Sequence, residues 1–283
     1  IKKMNSFING LSIVSTPIGN LNDISIRATD ALKECDIIIC ENPKHSLKLL
    51  NKLGIKKKLI SLHDYNEHII INKIKGLLKN KNCVLISDSG SPLISDPGYN
   101  LVQYCIQNNI KITSIPGPSS IISSLQLSGL PISEFVFFGF IPKSKKKLED
   151  LVRTIIKERK TSIFFISNHK LVTFIDCLIN IMPDRKISIC KELTKVNEFI
   201  FRGIPSKVKS DILQKKENLK GEFVGVVSGQ LTKNHDFDEI DLYRSELEKM
   251  TEKFSLTDIV EIVHKLTKIN KNKIYKWLLN LKK

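Results

Sequence analysis

The sequence predicts an α/β protein that ends in a small helical extension. Short apolar runs alternate with helical patterns over residues 11–119, apolar runs outnumber helical patterns over residues 119–229, and residues 241–283 show helical patterns alone. Near-continuous apolar strands that alternate with helices are typical of a parallel sheet covered on both faces. We therefore expect three parts, which are an α/β domain with a parallel sheet at residues 1–118, a mixed α/β domain at 119–235 and a helical extension at 236–283.

The N-terminal part contains five apolar runs that we predict to be strands. In chain order these runs are LSIVS, DIIIC, KLISL, CVLI and IKITSI. The first helix is predicted from apolar residues that recur at the helical period over residues 24–35, with Asp23 as its N-cap. A short helix after the second run is expected to end at Gly54, and Ser119 or Ser120 is expected to cap the helix after the fifth run.

The second part contains five further strand predictions, and the extension is expected to form two or three short helices. The strand runs are EFVFFGF, TSIFFI, KISIC, NEFIFRG and GEFVGVV. The last helix of the extension is basic and carries the only tryptophan of the chain. The helix before it presents an apolar face, whose residues are Leu256, Ile259, Val260, Val263 and Leu266.

The net charge suggests a polyanionic partner. The 283 residues include 45 Lys and Arg against 29 Asp and Glu, which gives a formal charge of +16. Nucleic acid is the simplest partner for such a chain. The charge has a second explanation, because Lys, Ile and Asn are frequent throughout the sequence, as they are in proteins encoded by AT-rich genes. Charge by itself therefore does not identify the partner.

Cysteine and histidine spacing argues against a disulfide framework and against a zinc site. The six cysteines form no C-x-x-C pair, and most lie within or beside apolar runs, where a thiol packs as a small buried hydrophobe. The six histidines show no H-E-x-x-H motif and no paired Cys/His spacing. No apolar run reaches the roughly 18 residues of a membrane span, and no signal peptide is recognisable. We expect a protein of the reducing cytoplasm, with no membrane segment and no structural metal.

The loops after the predicted strands form the expected ligand site, because ligands of open parallel sheets bind outside the carboxyl ends of the strands. Three of these loops, TPIGN, SDSGSPLISDPG and PGPSS, combine Pro and Gly, so their backbone can approach a ligand without an intervening side chain. Each loop alone could be an ordinary turn, but three at one edge of a sheet favour a binding site. The predicted ligand-binding residues are Pro17, Ile18, Gly19, Asp88, Gly90, Ser91, Pro92, Pro116, Gly117 and Ser119.

Two common nucleotide-binding motifs are missing from the sequence. There is no G-x-x-x-x-G-K-[ST] stretch, which excludes a P-loop, and TPIGN has one glycine where a dinucleotide fingerprint needs three. Glu41 begins the predicted loop ENPKH. It lies about twenty residues after TPIGN, where the dinucleotide fingerprint places its ribose-binding acid. The acid matches and the glycines do not, so a dinucleotide site is not expected.

Several stretches, in a fixed order, resemble one bacterial family. They include STPIGNLNDISIRATDALKECDIIICENPKHSLKLL, LISDSGSPLISDPGYNLV, IPGPSSIISSLQLSGLP and KELTKVNEFIFRG. Over residues 11–229 the chain is similar to the ribosomal small-subunit methyltransferase I family, and the helical tail resembles that family's C-terminal extension. The resemblance implies two α/β domains of the tetrapyrrole-methylase type, with S-adenosylmethionine in a cleft between them and the three Pro/Gly loops around it. It further implies a homodimer that methylates the ribose 2′-oxygen of a decoding-region cytidine in 16S rRNA of the small ribosomal subunit.

The resemblance also implies RNA contacts, and here the chain departs from the family pattern. Two positions that are Arg in the family motifs are Lys44 and Lys170 in this sequence. A lysine acts as a point charge, whereas an arginine can hold a phosphate through two parallel hydrogen bonds. The lysines after FFGFIP suit a phosphate-facing surface, although a charge run is also typical of a solvated helix face. The predicted RNA-binding residues are Lys44, His45, Lys143, Lys145, Lys146 and Lys170.

The catalytic residues are predicted from the chemistry of methyl transfer to a ribose hydroxyl, which needs positioning and a base for the hydroxyl proton. Glu41 directly follows the strand DIIIC, so we expect it at the edge of the sheet and predict it as the base. Asp23 is the second choice, with a purely structural role as N-cap as its alternative. Two other functions stay open, which are a methyltransferase of the same fold acting on a tetrapyrrole or a protein side chain, and a non-catalytic RNA-binding protein of ribosome assembly.

Overall fold

The structure is a computed structural model that describes residues 9–230, 244–251 and 253–281. The chain divides into two compact units, Ile1–Gln230 and Leu231–Lys283. The first unit contains two five-stranded sheets with helices, and the described part of the second unit is helical. The predicted α/β class with a helical extension is thereby confirmed. The boundaries expected at residues 118 and 235 stay predictions.

The first sheet is formed by the five apolar runs of the N-terminal part. Its strands are β1 (Gly10–Val14), β2 (Ile37–Cys40), β3 (Lys58–Ser61), β4 (Asn82–Ile86) and β5 (Ile112–Ile115). They lie in the order β3-β2-β4-β1-β5, and all neighbouring pairs are parallel. Side chains of β2 alternate between two buried clusters, with Ile37 and Ile39 in one and Ile38 and Cys40 in the other. The sheet is covered on both faces, as predicted.

Helices connect and follow these strands. They are α1 (Ile26–Glu34), α2 (Pro43–Lys52), α3 (Glu67–Asn80), α4 (Tyr99–Gln107) and α5 (Ser120–Ser128). The prediction of Asp23 as the N-cap of α1 is wrong. Asp23 ends a short 3-10 turn, and the hydroxyl of Ser25, whose backbone is extended, accepts a hydrogen bond of 3.1 Å from the Ala28 amide instead. The predicted cap at Ser119 is confirmed, since its hydroxyl accepts from the Ile122 amide.

The stretch ENPKH, expected to be a loop, contains the first turn of α2. The side chain of Asn42 accepts hydrogen bonds from the amides of Lys44 and His45, at 3.1 and 3.4 Å, and Pro43 occupies the first helical position. Proline suits that position because its missing N–H would have no partner there and its φ is already helical. The helix ends just before Gly54, whose φ of 67° is left-handed, as predicted.

The second sheet combines parallel and antiparallel strand pairs. Its strands are β6 (Phe135–Phe140), β7 (Thr161–Ile166), β8 (Ile187–Lys191), β9 (Phe199–Gly203) and β10 (Phe223–Val227). They lie in the order β6-β7-β10-β8-β9, with β6 and β7 parallel and the other neighbours antiparallel. The helices α6 (Lys145–Ile155), α7 (Leu171–Ile181) and α8 (Pro205–Leu213) pack against the largest buried cluster of the chain's described part.

The described part of the second unit has three helices, α9 (Arg244–Thr251), α10 (Leu256–Thr267) and α11 (Lys271–Leu281). Residues from all three build a small core, as the apolar pattern predicts. One residue of the predicted face is placed wrongly, because Leu266 is 79% exposed. The chain leaves α10 through Lys268 in a left-handed conformation, and the buried side chain at this end is that of Ile269.

All six cysteines are buried and free, which confirms the prediction that they pack as hydrophobes. Over the residues that the structure describes, no helix combines the length and apolarity needed to cross a membrane. In the same described residues, no group of three or more His, Cys, Asp or Glu side chains could hold a metal ion.

Candidate active site

A cavity of about 500 Å³ opens in the first unit where loops from the carboxyl ends of the first sheet meet the second sheet. Ligand pockets of this size are usual for small molecules, and strand ends are their usual place in open α/β sheets. The wall from the first sheet includes the polar loop after β4 and the start of α5. The wall from the second sheet is largely apolar and includes Phe165, Cys190, Leu193 and Val224.

A second cavity of about 300 Å³ lies beside the first. The two cavities share the lining residues Ile18, Asp88, Ser89 and Glu222. The smaller one reaches the start of α2, because His45 is part of its wall.

Seven of the ten predicted ligand-binding residues line these cavities. Ile18, Asp88, Gly90, Ser91 and Ser119 line the larger cavity. Pro17 and Gly19 line the smaller one, together with Ile18 and Asp88. The remaining three line neither cavity and are Pro92, Pro116 and Gly117.

Gly90 joins two of the predicted loops. Its amide donates to the carbonyl of Thr16 at 3.1 Å, and its carbonyl accepts from the amide of Thr16 at 2.8 Å. Its φ is 78°, a conformation that a β-branched residue does not adopt without strain. A Cβ at this position would also lie 3.3 Å from Cγ2 of Ile18, which lines both cavities. The glycine therefore shapes the site through its backbone conformation. Its amide donates to Thr16 and is not available to a ligand.

Gly117 and Gly19 act through close packing. A Cβ at Gly117 would lie 3.0 Å from Cβ of Ser15, whose hydroxyl is 3.0 Å from that of Ser91 in the wall of the larger cavity. A Cβ at Gly19 would lie 2.9 Å from the carbonyl oxygen of Leu193. These two glycines let the loops after β5 and β1 approach their neighbours, so Gly117 supports the cavity without lining it.

Three carboxylates gather at the carboxyl ends of β2 and β4. Asp88 lines both cavities, and its Oδ1 accepts a hydrogen bond of 3.2 Å from the amide of Asn42. Partial burial raises the pKa of Glu41, and the charges of Asp88 and Asp64 raise it further. Burial also raises the pKa of Asp96 to about 6, with the charge of Glu41 as the next cause. The carboxylates are thus coupled through their charges.

The predicted base Glu41 stands at the end of β2, half-buried, but it lines neither cavity. Asp96, which the sequence analysis did not single out, lines the larger cavity. It follows Leu93 and Ser95, whose φ values of 75° and 67° are left-handed, a strained conformation that clusters at functional sites. The second Ser-Asp pair of SDSGSPLISDPG was the sequence signal for it. Asp23, the second choice for the base, is exposed and also lines neither cavity.

The predicted RNA-binding residues lie on three elements of the first unit. Lys44 and His45 are exposed in the first turn of α2. Lys143 and the first-turn residues Lys145 and Lys146 of α6 are exposed as well. Lys170 ends a short 3-10 turn whose other two residues, Asn168 and His169, line the larger cavity. Those two residues and Phe140 are cavity residues that the sequence analysis did not name.

The two sheets and the cavity at their strand ends form an α/β architecture. A sequence profile described as Tetrapyrrole (Corrin/Porphyrin) Methylases matches residues 10–206, so the chain belongs to this class of α/β proteins. The crystal structure of a diphthine synthase has the same fold, with a TM-score of 0.58, 15% identity and coverage of 77% of this chain and 89% of that one.

Proteins named ribosomal RNA small subunit methyltransferase I are similar to almost the whole chain. The Thermotoga maritima protein is 41% identical over 221 residues, which cover 78% of this chain and 98% of that protein. The Vibrio cholerae protein is 36% identical over 273 residues, which cover 94% of this chain and 93% of that protein. This chain belongs to the ribosomal RNA small subunit methyltransferase I family, within the tetrapyrrole methylases.

Proposed function

We propose that this chain is an S-adenosylmethionine-dependent methyltransferase that modifies the ribose 2′-oxygen of a decoding-region cytidine in 16S ribosomal RNA. Its relatives at 41% and 36% identity carry the name of a small-subunit ribosomal RNA methyltransferase. The structural observation that carries the proposal is the larger cavity, where a carboxylate-bearing loop faces an apolar wall.

The residues of the cavity fit S-adenosylmethionine, which supplies a methyl group on a positively charged sulfur. The apolar wall with Leu193 and Val224 would receive the adenine ring, while Asp88 would face a positive charge of the ligand. Ser119 caps α5 beside the cavity, and the N-terminus of a helix favours a carboxylate such as that of the methionine part. Gly90 leaves open the space that a side chain would fill.

We propose that the coupled carboxylates Glu41 and Asp96 remove the proton of the ribose hydroxyl. The sequence assigns this role to Glu41, with Asp23 second. Asp96 is the member of the pair that lines the cavity. Burial, and after it the charge of Glu41, raises the pKa of Asp96, which makes it a stronger base near neutral pH. In this arrangement Asp96 accepts the proton, and the negative charge of Glu41 makes Asp96 more basic.

The substrate is ribosomal RNA within the small subunit, held by surface cations of which Lys170 is half-buried and the others are exposed. The predicted lysines on α2, before and in α6, and after β7 support this contact, as does the net charge of +16. We also propose that the protein acts as a homodimer in the cytoplasm, as the family resemblance implies. Light scattering on the purified chain measures the oligomeric state.

Transfer of labelled methyl groups tests the proposed function. Purified protein is incubated with labelled S-adenosylmethionine and small ribosomal subunits from a strain that lacks the enzyme. We expect label in the RNA, with none in subunits that already carry the modification. Label in subunit protein or in an added tetrapyrrole would support a different methylase of this fold. Binding of S-adenosylmethionine and RNA with no transfer would support a non-catalytic role in ribosome assembly.

A further inference from the structure

A β-bulge at the end of β6 turns Phe140 toward the larger cavity. Phe137 pairs with Ile163 of β7, but Phe140 pairs with Phe165, so β6 has one residue more than its partner between the two pairs. The extra residue is accommodated at Gly139, whose φ is 73°. A bulge of this kind reverses which residues face a given side of the sheet and often re-aims a side chain at a functional site.

The aromatic contacts follow from this bulge. Phe137 and Phe140 both make edge contacts with Phe165, with ring centroids 4.9 and 5.2 Å apart. Phe138 lies on the other side and stacks on Phe164 in the helix-covered core. Without the extra residue, position 140 would share the side of Phe138. The bulge therefore brings an aromatic ring into the cavity wall.

The wall of the larger cavity has buried residues and exposed ones, and we call the part that includes the exposed Phe140 its open end. Ile18, Leu193 and Val224 are each 6% exposed, whereas Phe140 is 60% exposed and still lines the same cavity. The buried apolar end suits a small molecule that is enclosed on binding. An exposed aromatic ring at the open end leaves a surface on which a second planar group can stack.

Two of the predicted lysines are close in sequence to residues of the cavity wall. Lys143 follows Phe140 by three residues, so the chain separates them by at most about 11 Å. Lys170 directly follows His169, which lines the cavity. An aromatic platform beside positive charge is how proteins hold unpaired nucleotides, by stacking the base and attracting the phosphate.

We propose that Phe140 is the stacking platform for the base of the target nucleotide, at the open end of the cavity. This inference rests on the proposed function and adds the residue that holds the substrate base. Stacking there keeps the ribose beside the buried end, where the methyl donor is bound.

Three variants test the platform. Phe140→Ala removes the ring, and Phe140→Trp restores a planar surface. The matched control is Phe199→Ala on β9, which removes a ring that is 56% exposed and lines neither cavity. Like Phe140, Phe199 packs against another phenylalanine, because its ring centroid is 4.7 Å from that of Phe201. For each variant, calorimetry gives the Kd of S-adenosylmethionine, and methyl transfer to unmodified small subunits gives kcat/KM.

We expect Phe140→Ala to lower kcat/KM for the subunit by about 10- to 100-fold, the usual effect of losing one base–aromatic stack. The Kd of S-adenosylmethionine should stay unchanged, Phe140→Trp should recover most of the activity, and Phe199→Ala should behave as the wild type. Wild-type kcat/KM in Phe140→Ala would overturn the platform while leaving the proposed function intact. Weaker S-adenosylmethionine binding in Phe140→Ala would mean that the ring contacts the adenine of the methyl donor, and this result would also overturn the platform. A wild-type protein that transfers no methyl group would overturn the proposed function itself.

Discussion

At the residue scale, Asp96 and Glu41 provide the sharpest test of the proposed proton transfer. If Asp96 accepts the ribose proton, Asp96→Asn should lower the methyl-transfer rate by about 100- to 10,000-fold at saturating substrate. Glu41→Gln should lower it by less than about tenfold, because the base is kept and only its strength falls. Both rates are measured by single-turnover transfer to small subunits. The reverse order of losses would return the role of acceptor to Glu41, as the sequence predicts.

The same pair predicts a pH dependence. The pKa of Asp96 is raised to about 6 by burial and by Glu41, so the rate should rise as the pH passes through 6 and level off above it, where the carboxylate is ionised. Glu41→Gln removes a like charge, which lowers the pKa of Asp96 and moves the midpoint to lower pH. Methyl transfer measured from pH 5 to 8, a range of about three units around this pKa, follows the midpoint. An identical midpoint in the two proteins would contradict the coupling.

The position of Glu41 could be predicted because an acid directly after a buried strand must stand at the edge of the sheet. The importance of Asp96 could not, because its raised pKa comes first from burial and then from the charge of Glu41, which is distant in sequence and follows the neighbouring strand β2. Seven of ten ligand-binding predictions line a cavity, since Pro and Gly mark the loops, but loop composition does not separate Gly90, which lines the cavity, from Gly117, which supports it.

At the scale of elements, the loop between β4 and α4 depends on Gly90. Gly90→Val should abolish detectable S-adenosylmethionine binding, because valine is strained at a φ of 78° and its Cβ would press on Ile18. Calorimetry measures the binding, and circular dichroism shows whether the variant is folded. Gly76→Val is the matched control, since a Cβ at Gly76 of α3 meets nothing within 4 Å. Unchanged affinity in a folded Gly90→Val protein would remove this loop from the site.

The strands were predictable and several element ends were not. Short apolar runs identified the ten strands of the described residues, because most residues of these strands are apolar even where the strand is only partly buried. The start of α2 was missed because Asn42 and Pro43 are typical both of a loop and of a helix N-terminus. The bulge in β6 was also missed, because only the pairing with β7 reveals the extra residue before Phe140.

At the scale of the whole molecule, the charge of +16 predicts how RNA binding responds to salt. If the five predicted lysines contact phosphates, the logarithm of RNA affinity should fall with the logarithm of salt concentration at a slope of about −3 or steeper. The affinity for S-adenosylmethionine should change little, because its contacts lie inside the cavity, where dissolved salt screens charges less than at the surface. Titrations at several salt concentrations measure both slopes. A flat response of RNA binding would assign the excess charge to the composition of the gene.

The central claim is that the cavity of the first unit directs a methyl group to a ribose oxygen of small-subunit RNA. The most direct measurement maps 2′-O-methyl groups in 16S rRNA after small subunits from a strain lacking the enzyme are treated with purified protein and S-adenosylmethionine. We expect one new 2′-O-methylcytidine in the decoding region, absent when Asp96→Asn replaces the wild type over the same short reaction. A methyl group found on a base, or no new methyl group anywhere in the RNA, would contradict it.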